Sequence, residues 1–239
     1  MTFEDQRIVL LGGTSGIGLA TAELAAEQGA HVVVASSSAA RVEAALQRLP
    51  GTAEGRVVDL TDEAATRAAL DAIGRHDHLV YTAGEELVLS LVDDTPVDVA
   101  RRALDLRVWG AYAAVKHAHR LLRPGGSIVL TTGIAGARPQ AGWTVGATVC
   151  AAVEGLTGAL AVELAPLRVN AVSPGIVRTD LWRGMDPADR EALYATTADA
   201  LPAGRVGEAE DIARTILHLV GSGFTTGTVV TVDGGALLV

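Results

Sequence analysis

The residues with the clearest chemical meaning are Leu11-Gly12-Gly13-Thr14-Ser15-Gly16-Ile17-Gly18. An apolar run, Ile8-Val9-Leu10-Leu11, leads into them and an alanine-rich helical pattern leads out. A strand, a glycine-rich turn and a helix in that order make a pocket for a diphosphate. The glycines let the backbone turn sharply and approach the anion, while the helix start offers free N–H groups and the positive end of its dipole. A tight turn asks for glycine on steric grounds too, so the flanking strand and helix are what point to a cofactor. Other reactive side chains are scattered. Cys150 is the single cysteine; with no histidine nearby in sequence to activate it, it reads as a small buried thiol. His76 and His78, and likewise His117 and His119, are spaced i,i+2 and share no face with carboxylate ligands, so no metal is assigned. Trp143 and Trp182 could wall a flat substrate or serve as packing.

These residues need a frame, and the hydrophobic pattern predicts one. Strand-like runs fall at residues 7–11, 31–35, 55–59, 78–82, 127–131, 168–172 and 228–232. Several are continuous Val/Ile/Leu runs, as in parallel strands covered on both faces. Helical patterns lie between them at 17–28, 39–49, 63–74, 97–122, 148–165 and 208–220. The rhythm implies right-handed crossovers and a doubly wound parallel α/β sheet of Rossmann type, with the ligand beyond the carboxyl ends of the strands. Residues 177–207, with Pro187, Pro202, Gly184 and Gly204 around a helix near 189–200, break the rhythm and read as a substrate lid.

Composition narrows the classes. A chain of 239 residues, 49% hydrophobic, can bury one large core, so residues 1–239 are read as one domain. A net charge of −9 without a basic stripe excludes a nucleic-acid partner. One cysteine excludes an internal disulfide and fits a reducing compartment. Glu4 and Asp5 stand where a signal peptide would be basic, and no apolar run reaches the roughly 18 residues of a membrane span. A cytoplasmic protein with no membrane partner is expected.

The chain resembles the short-chain dehydrogenase/reductase family over nearly its whole length. The matching pieces are Gly12-x3-Gly16-Ile17-Gly18, Asp59-Leu60-Thr61-Asp62, Thr82-Ala83-Gly84, Arg168-Val169-Asn170-Ala171-Val172-Ser173-Pro174-Gly175 and Val232-Asp233-Gly234-Gly235. By this resemblance Asp59-Leu60 touches adenine, Ala83-Gly84 lies under the adenosine ribose, and Pro174-Gly175-Ile176 borders the nicotinamide. Thr179 resembles the position that hydrogen-bonds the nicotinamide amide or the phosphates. An NAD site carries an acid after the second strand to hold the ribose 2′-OH. Here the run is Ala35-Ser36-Ser37-Ser38-Ala39-Ala40-Arg41. Its hydroxyls and the Arg41 charge favour a 2′-phosphate, hence NADP(H) over NAD(H); the serines could also simply cap the next helix.

The family's catalytic residues are a Ser, a Tyr thirteen residues on, a Lys four beyond it, and an upstream Asn. Ala151-Ala152-Val153-Glu154-Gly155-Leu156-Thr157 resembles the segment directly after that Lys, which puts Cys150, Gly146 and Gly133 at the Lys, Tyr and Ser positions and Arg107 at the Asn position. Tyr112-x3-Lys116 spells the motif in another helix, where α-helical geometry turns both residues well away from Arg107. What remains is Arg107, whose permanent charge could stabilise a developing oxyanion or tie a loop. Thr131 and Thr132 could hydrogen-bond a substrate oxygen or merely favour the strand, and a threonine is a poor acid near neutral pH. The expected activity is reduction of an activated carbonyl or quinone-like molecule with a non-standard site. The alternative is a silent NADP(H)-binding protein. The resemblance also implies a homodimer or homotetramer paired through residues 97–122 and 148–165.

Overall fold

The computed structural model describes residues 2–84 and 87–239. Seven parallel strands form one sheet: β1 (Arg7–Leu11), β2 (His31–Ser36), β3 (Glu54–Val57), β4 (His76–Tyr81), β5 (Leu122–Thr131), β6 (Arg168–Pro174) and, near the C-terminus, a last strand at Val229–Val232. Their spatial order runs third, second, first, fourth, fifth, sixth, last, so the order reverses between β1 and β4. A ligand site is expected above that switch point.

Alternate residues of each strand feed two cores. Val9 and Leu11 of β1 face one side with Leu79, Ile128 and Val169, while Ile8 and Leu10 face the other with Val32, Val80 and Val172. The first face is covered by α3 (Glu63–Ile73), α4 (Val97–Leu104), α5 (Ala111–Ala118) and α6 (Thr144–Glu163); the second by α1 (Gly16–Glu27), α2 (Ala39–Arg48) and the helix at Ala209–Gly221. Period-2 burial on both faces explains the unbroken apolar strands. Asp62 caps α3 by accepting from the N–H groups of Ala64 and Ala65, and Gly74 ends it with φ +74°.

Four departures from the sequence reading bear on the site. The helix expected over 97–122 is three pieces, with a π turn at Asp105–Gly110 between α4 and α5, and it stops at Ala118. β5 begins at Leu122, drawn back through Arg123-Pro124-Gly125-Gly126 by an irregular pairing with β4 between His76 and His78. α6 starts at Thr144, four residues before the expected 148. It is also long and apolar enough to cross a membrane on length and composition, contrary to the expectation for the sequence; here Val149, Val153, Thr157, Leu160 and Ala161 make its buried face.

The amino edge of the sheet carries buried polar groups. The His78 ring bridges Ser127 Oγ (2.8 Å) and Gln6 Oε1 (2.9 Å), and burial lowers its pKa to about 4. Buried Arg168 donates to the carbonyls of Leu219 and Val220 at the C-terminal end of the Ala209–Gly221 helix, where a cation suits the helix dipole.

The expected lid folds back on itself. β7 (Val177–Arg178) pairs in parallel with β8 (Gly207–Glu208), and α7 (Pro187–Ala200) lies between them. The remaining elements are therefore α8 (Ala209–Gly221) and β9 (Val229–Val232).

Candidate cofactor and active site

A crevice of about 320 Å³ opens at the carboxyl ends of the strands, within the ordinary range of small-molecule sites. Gly12, Thr14, Ser15, Gly16, Ile17 and Gly18 line its floor. Gly12 has φ +92°, a conformation that only glycine takes without strain. A Cβ there would collide with Ala83 N and lie 2.7 Å from Ala83 Cα. A Cβ on Gly18 would collide with the Gly12 carbonyl and Thr82 Oγ1. Thr82 donates from its hydroxyl to Gly12 O (3.2 Å) and from its N–H to Leu11 O (2.8 Å), stitching the ends of β1 and β4 together across the switch point. The close backbone approach that a diphosphate needs is thus built in, and these residues fit a dinucleotide. Thr179 covers them: a Cβ on Gly16 would lie 3.3 Å from Thr179 Cγ2.

Ser36, Ser37, Arg41, Asp59 and Leu60 line one end of the crevice. Ser38 is the serine that caps α2, accepting from Arg41 N at 3.3 Å, which leaves Ser36, Ser37 and the exposed Arg41 side chain at the crevice edge. Asp59 accepts from both the hydroxyl and the N–H of Thr61 (2.7 and 2.9 Å), and those bonds hold its carboxyl below the usual range.

Arg107, Thr131, Thr132, Gly133, Gly146 and Cys150 line the other end, alongside Pro174, Gly175 and Ile176. The π turn sets Arg107. Its carbonyl at Leu106 accepts from Tyr81 Oη (2.6 Å), and Gly110 lies so close that a Cβ would sit 2.6 Å from the same oxygen. The Arg107 guanidinium rests on Gly84, where a Cβ would lie 2.5 Å from Cζ. π turns often re-aim side chains at functional sites.

The two threonines differ. Thr132 Oγ1 donates to Cys150 O (3.0 Å), tying β5 to α6. Among the described residues, Thr131 Oγ1 is buried without a hydrogen-bond partner, a state that costs about 1–3 kcal/mol. Burial pushes the Cys150 thiol up, opposed by the Thr132 hydroxyl and the Arg107 charge. A Cβ on Gly133 would lie 3.3 Å from the Cys150 sulfur, whereas a Cβ on Gly146 would meet nothing within 4 Å.

Lys116 lies elsewhere, paired with Glu63 at 2.7 Å on the outer surface. Tyr112 is exposed, and Tyr194, on α7 within the lid, is buried with Arg178 stacked 4.3 Å above its ring. None of these residues lines the crevice. Trp182 is buried with Tyr194 and Val206, donating from its indole N–H to Val177 O (3.1 Å), and Trp143 packs against that cluster.

Asp233-Gly234-Gly235 performs a task that residue types alone did not reveal. Asp233 accepts from the N–H groups of Gly235 and Leu237 (2.9 Å each), and Gly234 O accepts from Ala203 N (3.0 Å). A Cβ on Gly235 would meet Pro202 Cγ at 2.7 Å. This turn clamps the exit of the lid.

A family model described as enoyl-(acyl carrier protein) reductase matches residues 12–236. The short-chain dehydrogenase/reductase ucsE of an Acremonium species is 36% identical, over 98% of this chain and 96% of its own. Among solved structures, a small-chain dehydrogenase in complex with NADPH is 41% identical with a TM-score of 0.88, covering 99% of this chain and 100% of the other. An NADPH-bound short-chain oxidoreductase from Pseudomonas aeruginosa PAO1 containing an atypical catalytic centre is 31% identical with a TM-score of 0.90, covering 98% and 97%.

Proposed function

The chain belongs to the short-chain dehydrogenase/reductase family of oxidoreductases, and on that premise we propose that it is an NADP(H)-dependent reductase of activated carbonyl or quinone-like molecules that works without a tyrosine acid. The carrying observation is a complete glycine cradle opening onto a crevice end lined by the Arg107 cation, with neither Tyr nor Lys among the described lining residues. NADPH, when bound, supplies a hydride. The chain does the rest.

Gly12–Gly18 and the start of α1 hold the diphosphate, and Thr179 closes over it. Ser36, Ser37 and Arg41 favour the 2′-phosphate through charge-assisted bonds, a choice in keeping with the NADPH carried by two of the similar structures. Asp59 and Leu60 border the adenine, Ala83 and Gly84 the adjoining ribose, and Pro174, Gly175 and Ile176 the reacting ring. Arg107 stabilises negative charge developing on the acceptor oxygen; the Thr132 hydroxyl is already engaged as a hydrogen-bond donor to Cys150 O. A positioned acid is worth roughly 3–5 kcal/mol of barrier. Acceptors whose reduced form spreads its charge lose least without one, hence quinones and conjugated enones rather than simple ketones.

A second reading is a catalytically silent NADP(H)-binding protein, favoured by glycine at both 133 and 146. Titrating NADPH by fluorescence and then following its absorbance with a quinone panel separates the two: tight binding with no turnover on any acceptor selects the silent protein. Arg107→Ala should lower turnover about 100-fold with NADPH affinity nearly unchanged; equal loss in both overturns the electrostatic role.

The protein is further proposed to be a cytoplasmic homodimer or homotetramer. Exposed Trp109 and Tyr112 beside and on α5, and Val162 on α6, support pairing through those helices. A monomer mass in sedimentation would overturn that.

A further inference from the structure

We infer that Gly146 opens a ring-sized side pocket against Trp143, selecting a planar, fused two-ring acceptor over a single ring; this rests on the reductase reading above. Gly146 sits in the first turn of α6 and its φ is not positive, so the backbone does not require glycine there. Packing does not require it either, because a Cβ would meet nothing within 4 Å. Glycine is disfavoured in a helix relative to alanine. A residue that breaks a local rule with no structural gain marks a functional site. Gly155 and Gly158 on the same helix are equally unobstructed, but of the three Gly146 is the one that lines the crevice.

The walls say what the space accepts. Trp143 precedes Gly146 by one turn and anchors the start of α6, its carbonyl accepting from Ala147 N at 2.8 Å. Val145, Val149, Ile134 and Leu89 complete an apolar lining. The Arg107 charge at this end suits the acceptor oxygen, which leaves apolar wall for the rest of the molecule. An indole face beside such a wall prefers a flat aromatic ring in offset stacking. A tyrosine at 146 would fill the space where glycine leaves it.

The test uses the intact protein loaded with NADP⁺, so that nothing turns over. Calorimetric affinities are measured for 2,3-dimethyl-1,4-naphthoquinone and for tetramethyl-1,4-benzoquinone, whose substituted rings resist thiol addition. The wild type should bind the two-ring probe about tenfold more tightly, the gain expected for burying one more ring edge. Gly146→Leu should erase that preference while the one-ring probe and NADPH change less than about twofold. If Gly146→Leu does not fold, Gly146→Ala, which suits a helix, should still weaken the two-ring probe about threefold. Equal binding of the two probes by the wild type, or a preference that survives these substitutions, overturns the inference. If the probes behave as stated but NADPH is never oxidised by any quinone, the reductase reading fails while the side pocket stands.

Discussion

The glycines at the two ends of the crevice are opposite in kind. At the cradle end, Gly12 and Gly18 are glycine because backbone and hydroxyl atoms already occupy the place of a Cβ. At the other end, a Cβ on Gly146 would meet nothing within 4 Å, and one on Gly133 would touch the Cys150 sulfur and, at 3.8 Å, Pro174 O. One set is required by close packing of the chain on itself; the other holds space open for something else. The same residue type is therefore sterically required in one place and sterically unconstrained in the other. Neighbouring atoms, not the letter, distinguish them.

The largest test fills the empty end. Gly133→Ser with Gly146→Tyr and Cys150→Lys restores three of the four side chains of the family pattern, leaving Arg107 in place of the Asn, and reduction of a simple ketone by NADPH should rise by about 10²–10⁴. Steady-state rates with a cyclic ketone check this; no gain would mean that the open end has been rebuilt beyond the loss of side chains. A control for general stability lies at the opposite edge of the sheet. His78 is neutral when folded and ionises near 6.5 when unfolded, so the unfolded chain binds the extra proton. Stability should therefore be complete above about pH 6.5 and fall by roughly 3 kcal/mol as pH drops toward 4. Urea melts across that range should show a smaller slope in His78→Gln, the remainder coming from buried His76, whose pKa burial also lowers. At the filled end, Gly18→Ala should weaken NADPH by about 100-fold and lower the melting temperature, because neither the Gly12 carbonyl nor Thr82 can give way. Next, Arg41→Ala should cost about tenfold in NADPH affinity with little change for NADH, read by parallel fluorescence titrations. The smallest effect is on stability: Gly146→Ala should gain about 0.5–1 kcal/mol in denaturant melts, whereas the same change at Gly18 should lose stability.

Strand order, the two-faced burial and the glycine cradle were legible in the sequence because each rests on local pattern: unbroken apolar runs, a strand-turn-helix order and fixed glycine spacing. The π turn was not legible, since the local pattern of Asp105–Gly110 is that of an α-helix, while the contacts that meet it, from Tyr81 Oη and Leu60 O, come from another strand and loop. Nor was the contrast between Thr131 and Thr132. Adjacent strand residues point to opposite faces, and only the position of the Cys150 carbonyl decides which hydroxyl is spent. The early start of α6 was hidden by Gly142-Trp143 and Gly146, a run that reads as loop. The lid appeared as a break in rhythm, but its clamp at Asp233-Gly234-Gly235 joins residues about thirty positions apart.

That clamp has a mechanical consequence. The segment over the crevice is pinned along one margin by the short β7–β8 pair and along the other by Gly234 gripping Ala203. A flap fixed on two sides cannot swing wide like a door; it yields by buckling in the middle, between Arg183 and α7. Under the proposed function, a dinucleotide reaching beneath Thr179 would need a larger distortion of this cover than a small acceptor would. Because each NADPH gives one hydride and must then be exchanged, the larger distortion needed for nucleotide exit would set the ceiling on turnover.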